Sequence, residues 1–335
     1  MVACLGWDGV TFLGLGEGGF QPLDEPHWSA AVLAGLNALP GHTMAMLGDG
    51  NGLVVYGRWS CDLGLMERYI IVTREPDGGA SVGSYPIPPR VGVTSDAEEG
   101  VPGLADLPVV GSLFSASRRS GAALQSWRDG VLVAVSLIGR LGRGPALSIA
   151  SYDRASLGGN PTHESRTASV SSLPALCASP RDGVALAYTA AEGLPRGGYL
   201  GTTPTPGPIL LVTSPDGEEW SEPMPTVDEE KAHSSALAFD EELGLVLVYT
   251  AEREDGWPVF AARSQDFGQT WGEPVMLTEP GVRCLRPDAL IHDGTLYVAY
   301  LTVPKDPPEG RGPRALANPD GAFVLTMDPA ELPVG

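Results

Sequence analysis

Ser264-Gln265-Asp266-Phe267-Gly268-Gln269-Thr270-Trp271 follows the apolar run Val259-Phe260-Ala261-Ala262 and leads into Glu273-Pro274. Its chemistry is that of a tight chain reversal. The Asp266 carboxylate can accept backbone N–H groups within the turn, Gly268 permits the reversal, and Trp271 offers a large apolar surface for packing on a neighbour. A shortened form, Ser214-Pro215-Asp216-Gly217-Glu218-Glu219-Trp220, follows the run Ile209-Leu210-Leu211-Val212. Ser264, Asp266, Gly268, Thr270 and Trp271 are thus matched by Ser214, Asp216, Gly217 and Trp220.

Working outward, a second kind of turn recurs five times at intervals of roughly 50 to 80 residues. It reads Gly48-Asp49-Gly50-Asn51, Trp127-Arg128-Asp129-Gly130, Pro180-Arg181-Asp182-Gly183, Asp240-Glu241-Glu242-Leu243-Gly244 and His292-Asp293-Gly294. Each leads into β-forming residues such as Leu53-Val54-Val55-Tyr56 or Leu245-Val246-Leu247-Val248-Tyr249. Asp-Gly between such runs is a hairpin signal, because the turn needs positive φ. After every one of these strands come a variable loop and a further apolar run, so each repeat holds at least three strands, and in two repeats the turns at Ser214 and Ser264 lead to a short stretch that can be a fourth. Repeated four-stranded units are propeller blades.

The pattern Ser-x-Asp-x-Gly-x-Thr-Trp at 264–271 resembles the Asp-box (BNR repeat) motif of the sialidase-like β-propeller superfamily, and the resemblance implies the fold. The expectation is an all-β chain forming one propeller domain, 1–335, of five or six four-stranded blades. Visible blades span about 42–90, 120–168, 173–226, 232–279 and 286–330. The last repeat has chain for only three strands, and the N-terminal run in 1–20, Val10 to Leu15, is expected to close the ring as its fourth.

The length of 335 residues with 43% hydrophobic content suits one large core, and 44 Gly and 31 Pro punctuate apolar runs as turn residues. A formal charge of −20 excludes a general nucleic-acid binder, which needs clustered cations. No stretch approaches a membrane span and no signal peptide is visible, so a soluble chain is expected, of unassigned compartment. Cys4, Cys61, Cys177 and Cys284 are far apart, which indicates buried free thiols and no zinc site. No cofactor or metal is expected.

In a propeller the loops between second and third strands share one face with the connections between blades, around the axis where ligands bind. Those segments hold Arg58, Arg140, Arg143, Arg196, Arg253, Lys305, Arg311 and Arg314, then Arg90, Arg118, Arg119, Lys231, Arg283 and Arg286. Cations gathered on one side of an acidic chain fit a ligand bearing carboxylate, sulfate or phosphate. Arg286-Pro287-Asp288 immediately precedes an innermost strand, and His233 with Ser234 and Ser235 holds the equivalent place one blade earlier, as His42 does in the first visible blade. The candidate ligand-binding residues are therefore Arg286, His233, Arg58 and Arg118, and the candidate catalytic carboxylates are Asp288 and Glu252.

The resemblance implies a carbohydrate-active or glycan-binding protein with an anionic ligand in the central funnel. The chain departs from the sialidases themselves at the first arginine motif, Phe/Tyr-Arg-Ile-Pro: Tyr85-Pro86-Ile87-Pro88 lacks the Arg. The other function class open to the sequence is a non-catalytic interaction propeller of a secreted or virion-type assembly. In it the Gly- and Pro-rich loops 191–208 and 302–320 would contact a protein partner.

Overall fold

The apolar runs of β14, β18 and β19 form strands that are buried on both faces, which is why they read as continuous hydrophobic stretches and not as alternating ones. The structure, a computed structural model, describes residues 2–6, 9–16, 19–22, 37–38, 43–46, 52–61, 64–74, 80–86, 117–139, 146–153, 162–167, 171–190, 206–303 and 321–335. All regular structure in them is β, apart from one 3-10 turn at Pro329–Glu331.

Sheet I contains β1 (Val2–Gly6), β2 (Gly9–Gly16) and β3 (Gly19–Pro22); sheet II contains β4 (Asn37–Ala38), β5 (Thr43–Met46), β6 (Gly52–Cys61), β7 (Gly64–Arg74) and β8 (Ala80–Pro86). Sheet III runs through β9 (Ser117–Trp127), β10 (Gly130–Gly139), β11 (Ala146–Asp153) and β12 (His163–Thr167). Sheet IV holds β13 (Ser171–Ser179), β14 (Gly183–Ala190), β15 (Ile209–Ser214) and β16 (Met224–Pro225). Sheet V holds β17 (Ala232–Asp240), β18 (Gly244–Ala251), β19 (Val259–Ser264) and β20 (Val275–Met276). Sheet VI has β21 (Cys284–His292), β22 (Thr295–Thr302) and β23 (Gly321–Met327). Sheets III to VI are antiparallel meanders, and β5, β9, β13, β17 and β21 neighbour one another in chain order.

One expectation is corrected here. The N-terminal run pairs within its own sheet, β2 lying between β1 and β3, and is not the fourth strand of sheet VI. The tight Gly16–Gly19 reversal favours the local hairpin, whose closure is entropically cheaper than pairing with the far end of the chain.

Three apolar layers join sheets III to VI. On β14, Val184, Leu186 and Tyr188 face sheet III, whereas Ala185 and Ala187 face sheet V. There the small alanines meet Leu245, Leu247 and Tyr249 of β18, so large side chains fill the space that small ones leave. Val246 and Val248 on the other side of β18 pack with Ile291, Leu296 and Val298 of sheet VI. The far side of sheet VI differs: Leu290 is 43% and Val324 40% exposed.

The Asp turns have the hydrogen bonds their sequence calls for. Asp266 Oδ1 accepts the Thr270 N–H at 2.8 Å and the Ser264 hydroxyl at 2.8 Å, its Oδ2 accepts the Thr270 hydroxyl at 2.6 Å, and Ser264 Oγ accepts the Gly268 N–H at 2.7 Å. In the shortened turn Asp216 Oδ1 accepts the N–H groups of Glu218 and Glu219 and Ser214 Oγ accepts that of Gly217. Backbone N–H groups of Glu219 and Glu218 hold the Asp216 carboxyl below the usual range. Burial alone would raise Asp266, but donation by Thr270 and Ser264 outweighs it and lowers that carboxyl too. These carboxylates build the turns; they are not placed to react. Trp271 and Trp220 pack onto the layers between sheets IV and V and between III and IV. The preceding sheet contributes as well, since Trp127 Nε1 donates to Asp216 O at 3.1 Å.

The C-terminal segment folds back onto sheet V. Buried Arg263 donates to Leu243 O at 2.6 Å and to Pro329 O at 3.4 Å, and its backbone bridges Val334. Asp328 Oδ1 accepts the Ala330 N–H at 2.8 Å and starts the 3-10 turn.

Candidate functional site

The first strand of each of sheets III to VI carries a β-bulge near its beginning, at the end opposite the Asp turns. In β9 the extra residue is Ser120, between the pairs Arg119–Leu137 and Gly121–Ser136. In β13 Leu173 and Pro174 interrupt the ladder between Ser172 and Ala175. In β17 the extra residue is His233, and in β21 the pair Arg286 and Pro287. Pro lacks the N–H that a ladder position would use, so Pro174 and Pro287 suit a bulge. Bulges re-aim side chains and cluster beside functional sites. Four in consecutive strands at one level therefore mark this end of the sheets as the candidate site.

Arg286 is held there in a left-handed conformation, φ 51°. The other described non-glycine residues with positive φ, Arg128, Phe267 and Asp293, belong to turns; Arg286 alone lies within a strand. Such a conformation costs about 1–2 kcal/mol in a residue with a Cβ. Strain of this kind persists where the surroundings impose it, and it concentrates at ligand sites.

Asp288 is the first paired residue after that bulge, opposite Ala299. The residue is exposed, although protein atoms surround its carboxyl. Burial pushes its carboxyl above the ordinary range, opposed in part by the Ala289 N–H, which donates to Oδ1 at 2.9 Å. A carboxyl biased toward its protonated form is what a general acid requires.

His233 is 3% exposed and its ring lies 4.6 Å, centroid to centroid, from that of Trp257. The Arg283 guanidinium stands 5.3 Å from the same indole centroid. Beside them Arg253 is engaged by its own sheet: it donates to Glu229 Oε2 at 2.6 Å and lies 4.6 Å over the Phe260 ring, which stacks on Tyr249. Glu229 is nearly enclosed, with 8% of its side chain exposed, and also accepts the Lys231 N–H. Burial, with Glu229 nearby, raises the Tyr249 phenol, and Glu229 raises Arg253, so this group is a structural pin.

The rim is tied together by main-chain bonds. Gly207 and Ala232 exchange N–H···O bonds of 3.0 and 3.1 Å, Trp257 N–H donates to Val282 O at 2.9 Å, and Cys284 N–H donates to Trp257 O at 2.9 Å. Each of these loops thus grips the first strand of the next sheet just ahead of its bulge.

The structure brings Arg286 and Asp288 to one bulge and His233 to the bulge beside it. Glu252 is exposed just after β18, its N–H donating to Lys231 O, and has no hydrogen bond or ion pair to Asp288 among the described residues. Four arginines expected in loops or connections lie in strands: Arg58 in β6, paired opposite Glu67; Arg118 and Arg119 in β9, paired opposite Ile138 and Leu137; and Arg286 in β21. Pairing with β7 and β10 carries those ladders past the apolar runs and through Arg58, Arg118 and Arg119, whose side chains lie outside the described residues. His42, Arg90, Arg140, Arg143, Arg196, Lys305, Arg311 and Arg314 also lie outside the described residues. Sequence reasoning did not single out Trp257; its signal was an aromatic residue before Pro258 at the start of a strand. Cys177 and Cys284 are buried free thiols, pushed by burial up to about 12 and about 11, which removes them as nucleophiles at neutral pH.

No protein-family model matches the chain, and no curated protein matches it. Among solved structures it is similar to a GH43 endo-arabinanase from Bacillus licheniformis, at 12% identity over 87% of this chain and 94% of that one, with a TM-score of 0.47. It is also similar to the α-L-arabinofuranosidase PaAbf62A from Podospora anserina in complex with cellotriose, at 10% identity over 89% of this chain and 93% of that one, TM-score 0.48. A Trypanosoma rangeli sialidase in complex with 2,3-difluorosialic acid matches at 12% identity over 87% of this chain and 46% of its own length, TM-score 0.48.

Proposed function

We propose that this chain is a carbohydrate-active or glycan-binding propeller of the Asp-box kind, closed into a ring, whose ligand is an anionic glycan held at the level of the bulges. The observation that carries the reading is the placement at one bulge of Arg286, whose backbone is held in a left-handed conformation, and Asp288, whose carboxyl is raised by burial. Arg286 supplies a bidentate donor for a carboxylate or sulfate, and Asp288 a proton for a glycosidic oxygen. His233 adds a hydrogen-bonding group from the neighbouring sheet. Ring closure is proposed from the order of the sheets, in which β5, β9, β13, β17 and β21 neighbour one another in sequence.

A hydrolysis screen against aryl glycosides and acidic oligosaccharides, repeated with Arg286→Ala and Asp288→Asn, tests the catalytic half. Turnover abolished by both changes supports a glycosidase. Binding on a glycan array without turnover supports the binding half, and neither result sinks the reading.

The lack of the sialidase arginine at Tyr85-Pro86-Ile87-Pro88 favours a second reading, in which the propeller is a non-catalytic interaction module of a secreted or virion-type assembly and loops 191–208 and 302–320 meet a protein partner. Its signature is loss of partner capture on shortening those loops, with no glycan binding by the intact chain.

A further inference from the structure

We propose that Trp257 is a positioning residue that sets the direction of His233 and the placement of the Arg286 bulge; this rests on reading the bulge level as the ligand site. A residue at a bulge has no full set of ladder bonds to fix it, so its aim depends on what touches it from outside the strand. For His233 that contact is the Trp257 indole, 4.6 Å away ring to ring and tilted by 42°. The same indole receives the Arg283 guanidinium at 5.3 Å, within the range of a cation–π contact.

Trp257 is itself fixed from both sides of its peptide. Its N–H donates to Val282 O and its carbonyl accepts the Cys284 N–H, forming a parallel bridge with Arg283. The approach is close: a Cβ on the preceding Gly256 would lie 2.6 Å from Val282 O. A tight reversal in which Arg253 N–H donates to Gly256 O delivers the tryptophan to this place, and Val303 N–H binds Arg283 O from the far side. One side chain therefore links the bulge of β17 to the entry of β21, three residues before Arg286. Movement of the indole would alter both groups of the site at once.

The test uses the whole chain with Trp257→Leu and Trp257→Phe, read in two ways. Histidine ring resonances, assigned through His233→Asn, report the geometry, and calorimetric titration with inorganic sulfate reports the anion site, with Arg286→Ala as its reference. Expected is a displaced His233 resonance and roughly tenfold weaker sulfate binding in Trp257→Leu, the equivalent of about 1.4 kcal/mol, both largely restored in Trp257→Phe. A His233 resonance and sulfate affinity unchanged in Trp257→Leu overturn the positioning role. Sulfate binding that is absent, or indifferent to Arg286→Ala, overturns the site reading instead, while the resonance still decides the role of Trp257. Should Trp257→Leu fail to fold, the Trp257 indole N–H in His233→Asn reads the same contact, and an unmoved indole signal counts against the proposal.

Discussion

Gly268 and Leu211 meet across two sheets so closely that a Cβ added to the glycine would lie 2.2 Å from Leu211 Cδ2. The glycine also has φ 96°. Gly268→Ala is therefore expected to combine about 1–2 kcal/mol of left-handed strain with about 1–3 kcal/mol of overpacking. Gly281→Ala is the control, since Gly281 has φ 87° and nothing within 4 Å of an added Cβ; strain alone predicts about 1–2 kcal/mol there. Urea unfolding of both variants measures the difference.

Arg286→Gly and Arg286→Ala both remove the guanidinium, but only glycine relaxes the backbone. The glycine variant is expected to be about 1 kcal/mol more stable than the alanine variant. Equal stabilities in denaturant would show that φ at this bulge carries no strain.

The raised Asp288 carboxyl has a defined sign in stability against pH. Its folded state favours the proton more than the unfolded chain does, so its contribution is fully present below the unfolded carboxyl value, about 3.9, and is lost as pH rises through the higher folded value. Asp288→Asn is accordingly expected to match the wild type in acid and to exceed it at neutral pH. A stability difference independent of pH would contradict this.

Arg263→Ala should loosen the C-terminal segment, because it removes the donor to Leu243 O and Pro329 O from a buried position. Loss of a charge-assisted hydrogen bond costs about 1.5–3 kcal/mol. Hydrogen exchange is expected to accelerate at 328–335 in this variant before it does so in β14 or β18.

A closed ring of this length has an expected radius of gyration of about 20 Å, from the scaling for compact domains. Small-angle scattering giving a clearly larger radius would indicate an open arc of sheets and remove the proposed closure.

The sheets were largely legible because both of their signals are local. Leu245 to Tyr249 marks a strand observed as Gly244–Ala251, and the Ser264 to Trp271 turn shows the hydrogen bonds its residue types require. β12, His-Glu-Ser-Arg-Thr, was not legible, since it is polar and takes its place from pairing with β11. The bulges were hidden for a related reason: an extra residue becomes visible only when two strands are aligned, although Pro174 and Pro287 hint at two of them. The wrong course assigned to the N-terminal run has the same origin, because apolar periodicity shows that a strand exists and says nothing about its partner.

At the bulges the protein separates durability from preference. His233 and Arg286 sit outside the cross-strand register that holds their sheets together, whereas Leu247, Val248 and Ala187 sit inside it. Exchanging a residue of the first group changes what that end of the sheets presents while leaving the framework's pairing intact. An evolving lineage, or an engineer, can thus vary the residues at four neighbouring bulges without renegotiating the scaffold that displays them.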